Sequence, residues 1–163
     1  GFITVNCEGG LSFDSDKGQV VYLGEIMVNE PRFRLRCGDS MRITLAPREK
    51  TGASPVKGPE AFSDVDKIVA LGNVIITRLP KPGALPMVAN SAAATYEASS
   101  GILALRGGRP GIRQGKSFFE AREDGLYILF YPNGSFELSR GSWEQFFDLE
   151  DNNFQKLRRE QAN

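Results

Sequence analysis

Histidine is absent from this sequence of 163 residues, and cysteine occurs only twice. Without imidazole the chain lacks the usual general acid–base, the usual partner of a serine or cysteine nucleophile, and the nitrogen ligand of zinc and copper sites. Two cysteines are too few for a disulfide scaffold, and with only carboxylates to complete the ligand set they make a poor zinc site. We therefore expect no metal, no cofactor and no catalytic residue.

An excess of charge of either sign is also missing, because 20 basic and 20 acidic side chains give a net charge of zero. A chain without a net basic face is not expected to bind nucleic acid. No apolar run approaches the roughly 18 residues of a membrane-spanning helix. The acidic residues lie mainly at turns, so no carboxylate pair is singled out for glycosidase chemistry. We expect the protein not to be an enzyme.

Apolar and polar residues instead alternate in this sequence with a period of two. Phe33, Leu35 and Cys37 alternate with arginines, and Met41 and Ile43 continue the alternation after a short turn. This pattern indicates strands with one buried face. The 18 glycines and 9 prolines punctuate the apolar runs, as is typical of all-β proteins. The fold class is therefore predicted to be all-β.

Four stretches repeat one order of features: a small residue, a polar turn, an alternating strand, a tight turn and a second strand ending in glycine. They span 7–24, 37–72, 89–107 and 121–141. One such unit cannot bury its apolar face alone, so we expect the units to stack into a two-sheet, solenoid-like trough of antiparallel strands with open end strands. A chance likeness among β patterns is the alternative. The expected bends between the sheets are Gly24, Gly72, Gly107 and Gly141.

Two of these stretches are similar to a known family. IVALGNVIITR (68–78) has Gly-Asn between two apolar runs, and MVANSAAATYEASSGILALRG (87–107) has Ala-Asn before a tyrosine-bearing strand. Together they resemble the OstA-like domain of the lipopolysaccharide-transport family of LptA and its relatives. VVYLGEIMV (20–28) is a looser copy with Glu25 in place of asparagine, and LALRGGRPGI (103–112) matches the variant closing repeat. The resemblance extends over residues 3–141.

The resemblance implies a β-jelly-roll trough that binds lipopolysaccharide or another acylated lipid in the periplasm. It also implies pairing with sister domains, or with a second copy, through exposed strand edges. A leader or anchor is expected to lie outside this sequence, and the chain could be the bridge itself, a membrane-anchored relative or a domain of the outer-membrane translocon. The alternative function is a structural β-solenoid module of the cell envelope without a lipid ligand.

The apolar positions of the alternating runs are the expected lipid-binding groove. The β domain is predicted to span 1–141, with a loop insertion at about 46–66 that is poor in apolar residues. A closed, dry core without a ligand is the alternative for the interior. The predicted groove residues are Phe33, Leu35, Met41, Ile43, Ile68, Ile76, Leu103, Leu105, Ile112, Phe118 and Tyr127.

A basic stretch without acidic residues, between Glu97 and Glu120, is the expected contact for lipid phosphates. Guanidinium groups pair well with phosphate because their geometry is bidentate. An exposed glycine-rich turn is the alternative. The candidates are Arg106, Arg109, Arg113 and Lys116.

Cys7 and Cys37 hold the same position in the first two repeats. Adjacent strands lie about 4.8 Å apart, within the separation of about 4.4–6.8 Å between Cα atoms that a disulfide accepts. A disulfide is therefore feasible in an oxidising compartment, and two buried thiols are the alternative.

The segment 142–163 departs from the family pattern and is expected to be partly helical. Ser142 and Gln145 resemble a capping box, and Trp143, Phe146 and Phe147 would share a helical face. A second helical piece is expected at 154–160. The segment could cap the last repeat, link to a further domain or dock on a partner.

Overall fold

The computed structural model describes residues 3–31, 33–47, 62–78 and 82–148, and the regular structure in these ranges is entirely β-strand. The predicted all-β class is confirmed. Among the residues described, no helix could cross a bilayer. The strands are β1 (Thr4–Asn6), β2 (Gly10–Asp14), β3 (Gln19–Leu23), β4 (Ile26–Glu30), β5 (Phe33–Cys37), β6 (Ser40–Pro47), β7 (Phe62–Arg78), β8 (Met87–Glu97), β9 (Ile102–Arg106), β10 (Gly111–Gln114), β11 (Ser117–Ala121), β12 (Tyr127–Phe130), β13 (Phe136–Leu138) and β14 (Trp143–Phe146).

These strands form one antiparallel sheet with two parts, because the long strands β7 and β8 run through both. We call the first part sheet I, in the order β1-β4-β5-β7-β8-β10-β11-β14, and the second sheet II, in the order β2-β3-β6-β7-β8-β9-β12-β13. The hairpins β2–β3 and β12–β13 stay within sheet II, whereas β4–β5 and β10–β11 stay within sheet I. The chain therefore crosses from one part to the other between hairpins, which builds the β-jelly-roll trough that the repeats predict.

The chain bends between the two sheets at glycines. Gly72 and Asn73 have positive φ values of 91° and 43°, and the pairing of β7 with β8 shifts between Leu71 and Val74. Left-handed backbone of this kind is accessible to glycine without steric cost. A Cβ on Gly72 would also clash with the carboxylate of Asp39 on the adjacent bend. The other predicted bends have positive φ as well: Gly24, Gly107 and Gly141.

Adjacent bends are joined by backbone hydrogen bonds. The N–H of Gly38 donates to the carbonyl of Gly72 at 2.7 Å, and the N–H of Gly24 donates to the carbonyl of Asp39 at 3.0 Å. The main-chain polar groups at the bends are thus satisfied. The bends at Gly24, at 38–39 and at Gly72 are thus joined to one another through the main chain.

One hydrophobic cluster fills the angle between the sheets. Leu35 and Ile76 belong to its sheet I side, and Met41, Leu105 and Ile128 belong to its sheet II side. The last three side chains have no exposed surface. Because both sheets contribute to one cluster, their inner faces are turned toward each other.

The helix expected at the start of 142–163 is wrong, because this part of the segment is the end strand β14. β14 pairs antiparallel with β11, and Trp143 lies opposite Ala121 while Phe146 lies opposite Phe118. The open edge of β11 offers the segment backbone hydrogen bonds, and an extended chain lets Trp143 pack against the core. The second helical piece, at 154–160, lies outside the described residues.

The expected loop insertion at about 46–66 is described only at its two ends. Both ends are strand, since β6 continues to Pro47 and β7 begins at Phe62. The remainder, 48–61, lies outside the described residues. The division of the chain into a domain at 1–141 and a separate C-terminal segment stays a prediction.

Candidate functional site

The inner faces of the two sheets form an apolar trough, and most of the predicted groove residues lie on it. Leu35 pairs with Ile76 across β5 and β7, and Ile43 pairs with Ile68 across β6 and β7. Side chains on adjacent strands in register project to the same face of a sheet. The predicted residues that lie in this cluster or pack against it are Phe33, Leu35, Met41, Ile43, Ile68, Ile76, Leu103, Leu105 and Ile112.

Phe118 lies on the outer face of sheet I, so its assignment to the groove is wrong. Ile112 is buried in the core and pairs with Phe119, whereas Phe118 pairs with Arg113 on the opposite face. There Phe118 stacks on Phe146 with a ring separation of 5.5 Å. Because Phe118 and Phe119 are consecutive, the sequence does not show which of them faces the trough. The pairing of β11 with β10 shows that Phe119 does.

Tyr127 lies on the outer face of sheet II, so its assignment is also wrong. Ile128 and Phe130 are the buried members of β12. Tyr127 therefore projects outward, where the guanidinium of Arg106 lies 4.5 Å from its ring centroid. β12 is apolar on both faces, and alternation alone cannot assign a side in such a strand.

Several inner residues were not identified from the sequence. Ile26 and Val28 carry a usable signal, because they alternate about Met27 in the run that pairs with β5. The position of Val74 follows from its place just after the bend of β7. The aromatic members carry no such signal, because their strands are apolar on both faces or very short. Among the missed residues are Ile26, Val28, Val74, Phe119, Ile128, Phe130 and Phe136.

Burial decreases from the bends toward the far side of the trough, which we call the opening. Met41, Val74 and Leu105 lie next to bends and are fully buried. Phe33 on β5 and Leu103 on β9 lie farther from the bends and are half-buried. The bottom of the trough is thus a packed core, and the rows near the opening offer apolar surface that an acyl chain could contact.

Aromatic rings join the two sheets at the C-terminal end of the trough. Phe119 of sheet I lies edge-on to Phe136 of sheet II at 5.7 Å, and Phe136 lies 6.0 Å from Phe130. Trp143 packs against the core, and its indole N–H donates to the carbonyl of Ser139 at 2.8 Å. Such ring pairs add to the energy of area burial. This end is therefore closed by side chains of the chain itself.

Strand edges are open at both ends of the stack within the described residues. β1 and β2 are the end strands on the N-terminal side, and β13 and β14 are the end strands on the C-terminal side. Ile3 and Leu11 at the N-terminal end are 55% and 59% exposed. Open edges with exposed apolar side chains can pair with another chain.

Two of the four basic residues expected to contact phosphate lie over aromatic rings outside the trough. Arg106 lies over Tyr127, and the guanidinium of Arg113 lies 4.9 Å from the ring centroid of Phe118. Their positive charges therefore face solvent on two different sheets rather than a common site.

The other two basic residues have acidic neighbours that the sequence did not indicate. Arg109 lies 3.7 Å from a carboxylate oxygen of Asp124, and Lys116 lies 3.9 Å from one of Asp148. The stretch contains no acidic residue of its own, and folding brings carboxylates from elsewhere in the chain to it. The role of the four residues in binding phosphate stays a prediction.

Cys7 and Cys37 are free thiols, and the disulfide considered from the sequence is not formed. Strand β4 lies between β1 and β5, so about 9.6 Å, or two strand spacings, separates the cysteines. Cys37 Sγ lies 3.6 Å from the carbonyl of Ser40. Burial raises the pKa of the Cys37 thiol, and the carboxylates of Asp39 and Glu25 raise it further.

Outside the trough, the described residues offer little that resembles a reactive site. They include no group of three or more cysteine or carboxylate side chains placed to hold a metal ion. A surface pocket is lined by Asp66, Lys67, Glu97 and Ser99, and Lys67 Nζ lies 3.8 Å from a carboxylate oxygen of Glu97. This polar lining does not suit an acyl chain.

No family model and no curated protein matches this sequence. A solved structure matches its fold, namely the crystal structure of LptH from Pseudomonas aeruginosa, described as the LptA homologous periplasmic component of the conserved lipopolysaccharide transport device. The TM-score is 0.67 at 14% identity, and the match covers 90% of this chain and 94% of that chain. This chain has an LptA-like fold. The resemblance seen in the sequence is confirmed at the level of the fold, and the trough is the feature that the LptA-like fold builds here.

Proposed function

We propose that this chain is a non-enzymatic, periplasmic lipopolysaccharide-binding protein that shields acyl chains in its trough and bridges membranes by edge-to-edge β pairing. The observation that carries the proposal is the half-buried apolar rows near the opening, which include Phe33, Ile68 and Leu103. The LptA-like fold supports it, because the similar structure is a periplasmic component of a lipopolysaccharide transport device.

The energy for binding would come from removing acyl chains from water. Each buried methylene contributes about 0.8 kcal/mol, so a few partly covered chains give useful affinity. Contacts of this kind are not directional. A lipid held by them can therefore shift along the trough while its sugars and phosphates stay in solvent.

Native mass spectrometry tests the lipid part of the proposal. The protein is sprayed from detergent-free buffer alone, with lipid A, and with lipid A plus an excess of a phospholipid. We expect a lipid A adduct at low micromolar concentration that the phospholipid does not displace. A bare monomer under all three conditions would favour the structural module without a lipid ligand.

A pair of matched variants locates the bound lipid. Leu103→Gln puts a polar group on a half-buried inner position, and Ile75→Gln makes the same change at an outer position that is 41% exposed. We expect the adduct to be lost or reduced several-fold in the first variant only. Equal behaviour of the two variants would place the lipid outside the trough.

Leu11→Lys tests the bridging part of the proposal. Lysine on an end strand opposes pairing with another chain, and Leu71→Lys is the control because Leu71 is 43% exposed next to a bend and not on an end strand. Sedimentation velocity should show that Leu11→Lys removes higher oligomers and that Leu71→Lys keeps them. Identical oligomer distributions would show that this edge does not pair.

A further inference from the structure

Among the described residues, Arg78 is a cation that faces inward at the opening of the trough, and the sequence did not single it out. Arg78 ends strand β7 and pairs with Phe33 on one side and Met87 on the other. It lies two residues beyond Ile76, which is part of the core, so its side chain leaves the same face of the strand. In the described strands of sheet I, the remaining cations project from the outer face.

The guanidinium of Arg78 reaches across the opening to the opposite sheet. Its carbon lies 5.8 Å from the ring centroid of Phe130, an inner residue of β12. A Cβ placed on Gly134, in the β12–β13 turn, would lie 3.8 Å from one of its terminal nitrogens. The positive charge is therefore held above the apolar trough rather than turned away from it.

We infer that Arg78 is the anion contact of the trough, and that its ligand is the phosphate of an acylated lipid. An amphiphile with its chains against Phe33, Met87 and Phe130 would bring its phosphate to the guanidinium. Arginine donates paired hydrogen bonds to phosphate oxygens, and these charge-assisted bonds are stronger than neutral ones. The inference rests on the proposed function and names the polar half of its ligand site.

The charges around Arg78 leave room for this role. Glu30 is the acidic residue on the same inner row. Phe33 lies between it and Arg78, so the Cα atoms of Glu30 and Arg78 are two strand spacings, or about 9.6 Å, apart. Arg113 and Arg106 also lie over aromatic rings, but on the outer faces. Arg113, which the sequence predicts as a phosphate contact, is therefore the matched comparison, because the same side chain lies over a ring but projects from the outer face.

The test compares lipid A with enzymatically dephosphorylated lipid A, titrated into the wild type and two variants. Arg78→Met keeps an unbranched apolar stem and removes the charged guanidinium, and Arg113→Met makes the same change on the outer face. We expect Arg78→Met to weaken lipid A binding about tenfold, the effect of losing a charged hydrogen bond. Binding of the dephosphorylated lipid should stay unchanged, and Arg78→Lys should recover part of the loss.

Several results would overturn the inference. One is an equal loss for both lipids in Arg78→Met, which would make Arg78 a packing residue. Another is an equal loss in Arg113→Met. A third is binding of inorganic phosphate by itself as tightly as lipid A, which would make the site one for free phosphate. If the wild type binds both lipids equally, the anion contact fails while the proposed function stands; if it binds neither, the proposed function fails.

Discussion

The two ends of the trough have the same strand pattern but different side chains, and this decides how each end is closed. At the C-terminal end, Phe119 and Phe136 meet across the two sheets at 5.7 Å. At the N-terminal end, Leu11 occupies an inner position on the last strand and is 59% exposed. The rings at the C-terminal end span the gap between the sheets. On β2 the inner ring is the half-buried Phe13, and the aliphatic side chain of Leu11, two residues away, stays largely in solvent.

The difference gives the two ends different roles in assembly. The C-terminal end is covered by the rings that bridge the sheets and by Trp143, which packs against the core. The N-terminal end keeps Ile3 and Leu11 in solvent. Burial of exposed apolar surface drives association. Pairing at the N-terminal end would cover Ile3 and Leu11, whereas pairing at the C-terminal end would cover Phe146 and Phe147, which are 48% and 51% exposed.

The largest difference in the free energy of unfolding should come from truncating a leucine at a buried position and a leucine at an exposed position. Leu105 has no exposed surface in the C-terminal half, and Leu11 is mostly exposed at the N-terminal end. Leu105→Ala should lower the free energy of unfolding by about 3 kcal/mol, and Leu11→Ala by less than about 0.5 kcal/mol. Urea denaturation of both variants measures the difference. Similar losses would mean that Leu11 is covered in solution, as pairing of the N-terminal edge would cover it.

A smaller effect is expected from opening the aromatic end. Phe136→Ala removes the ring that bridges the sheets and should cost about 2 kcal/mol, because the side chain is half-buried. Trp143 is the one tryptophan of the chain, so its emission reports on this end and should shift to longer wavelength. Phe146→Ala is the control, since that ring is 48% exposed on the outer face. Equal shifts in both variants would show that the bridging ring is not what closes the end.

The sequence predicted the bends and the inner rows where it carried one clear signal. Gly72 and Gly24 were expected at bends, and both have positive φ there. Leu35, Met41 and Ile43 were expected inside because only one face of their strands is apolar, and all three are buried. A period of two decides which face is buried whenever the other face is polar.

The sequence could not predict what depends on pairing between distant strands. Phe118 and Tyr127 were placed on the wrong face because their neighbours are equally apolar, and only register with β10 and β9 separates them. The shared repeat position of Cys7 and Cys37 predicts adjacent strands, whereas β4 lies between β1, which ends just before Cys7, and β5, which ends at Cys37. Arg78 was missed for the same reason, since its partner Phe130 is far away in the chain.

The smallest effect concerns alkaline pH in the N-terminal half, where burial raises the pKa of Cys37 and of Tyr22. A group with a raised pKa in the folded state holds its proton more tightly there than in the unfolded chain. Its stabilising contribution is therefore complete below the ordinary pKa and is lost as pH rises through the raised one. Tyr131 at the C-terminal end also has a raised pKa, from its hydrogen bond to Glu137, but it is solvent-screened and should add little.

We therefore expect the free energy of unfolding to fall gradually between neutral pH and about pH 10, by less than either mutational effect above. Urea denaturation across this range measures the slope. Cys37→Ala should flatten its lower part, where thiols titrate, and Tyr22→Phe its upper part, because each variant removes one proton that the fold retains. Tyr131→Phe is the control and should leave the slope nearly unchanged. A slope that survives in Cys37→Ala and Tyr22→Phe but disappears in Tyr131→Phe would assign the alkaline sensitivity to the C-terminal end and reverse the comparison.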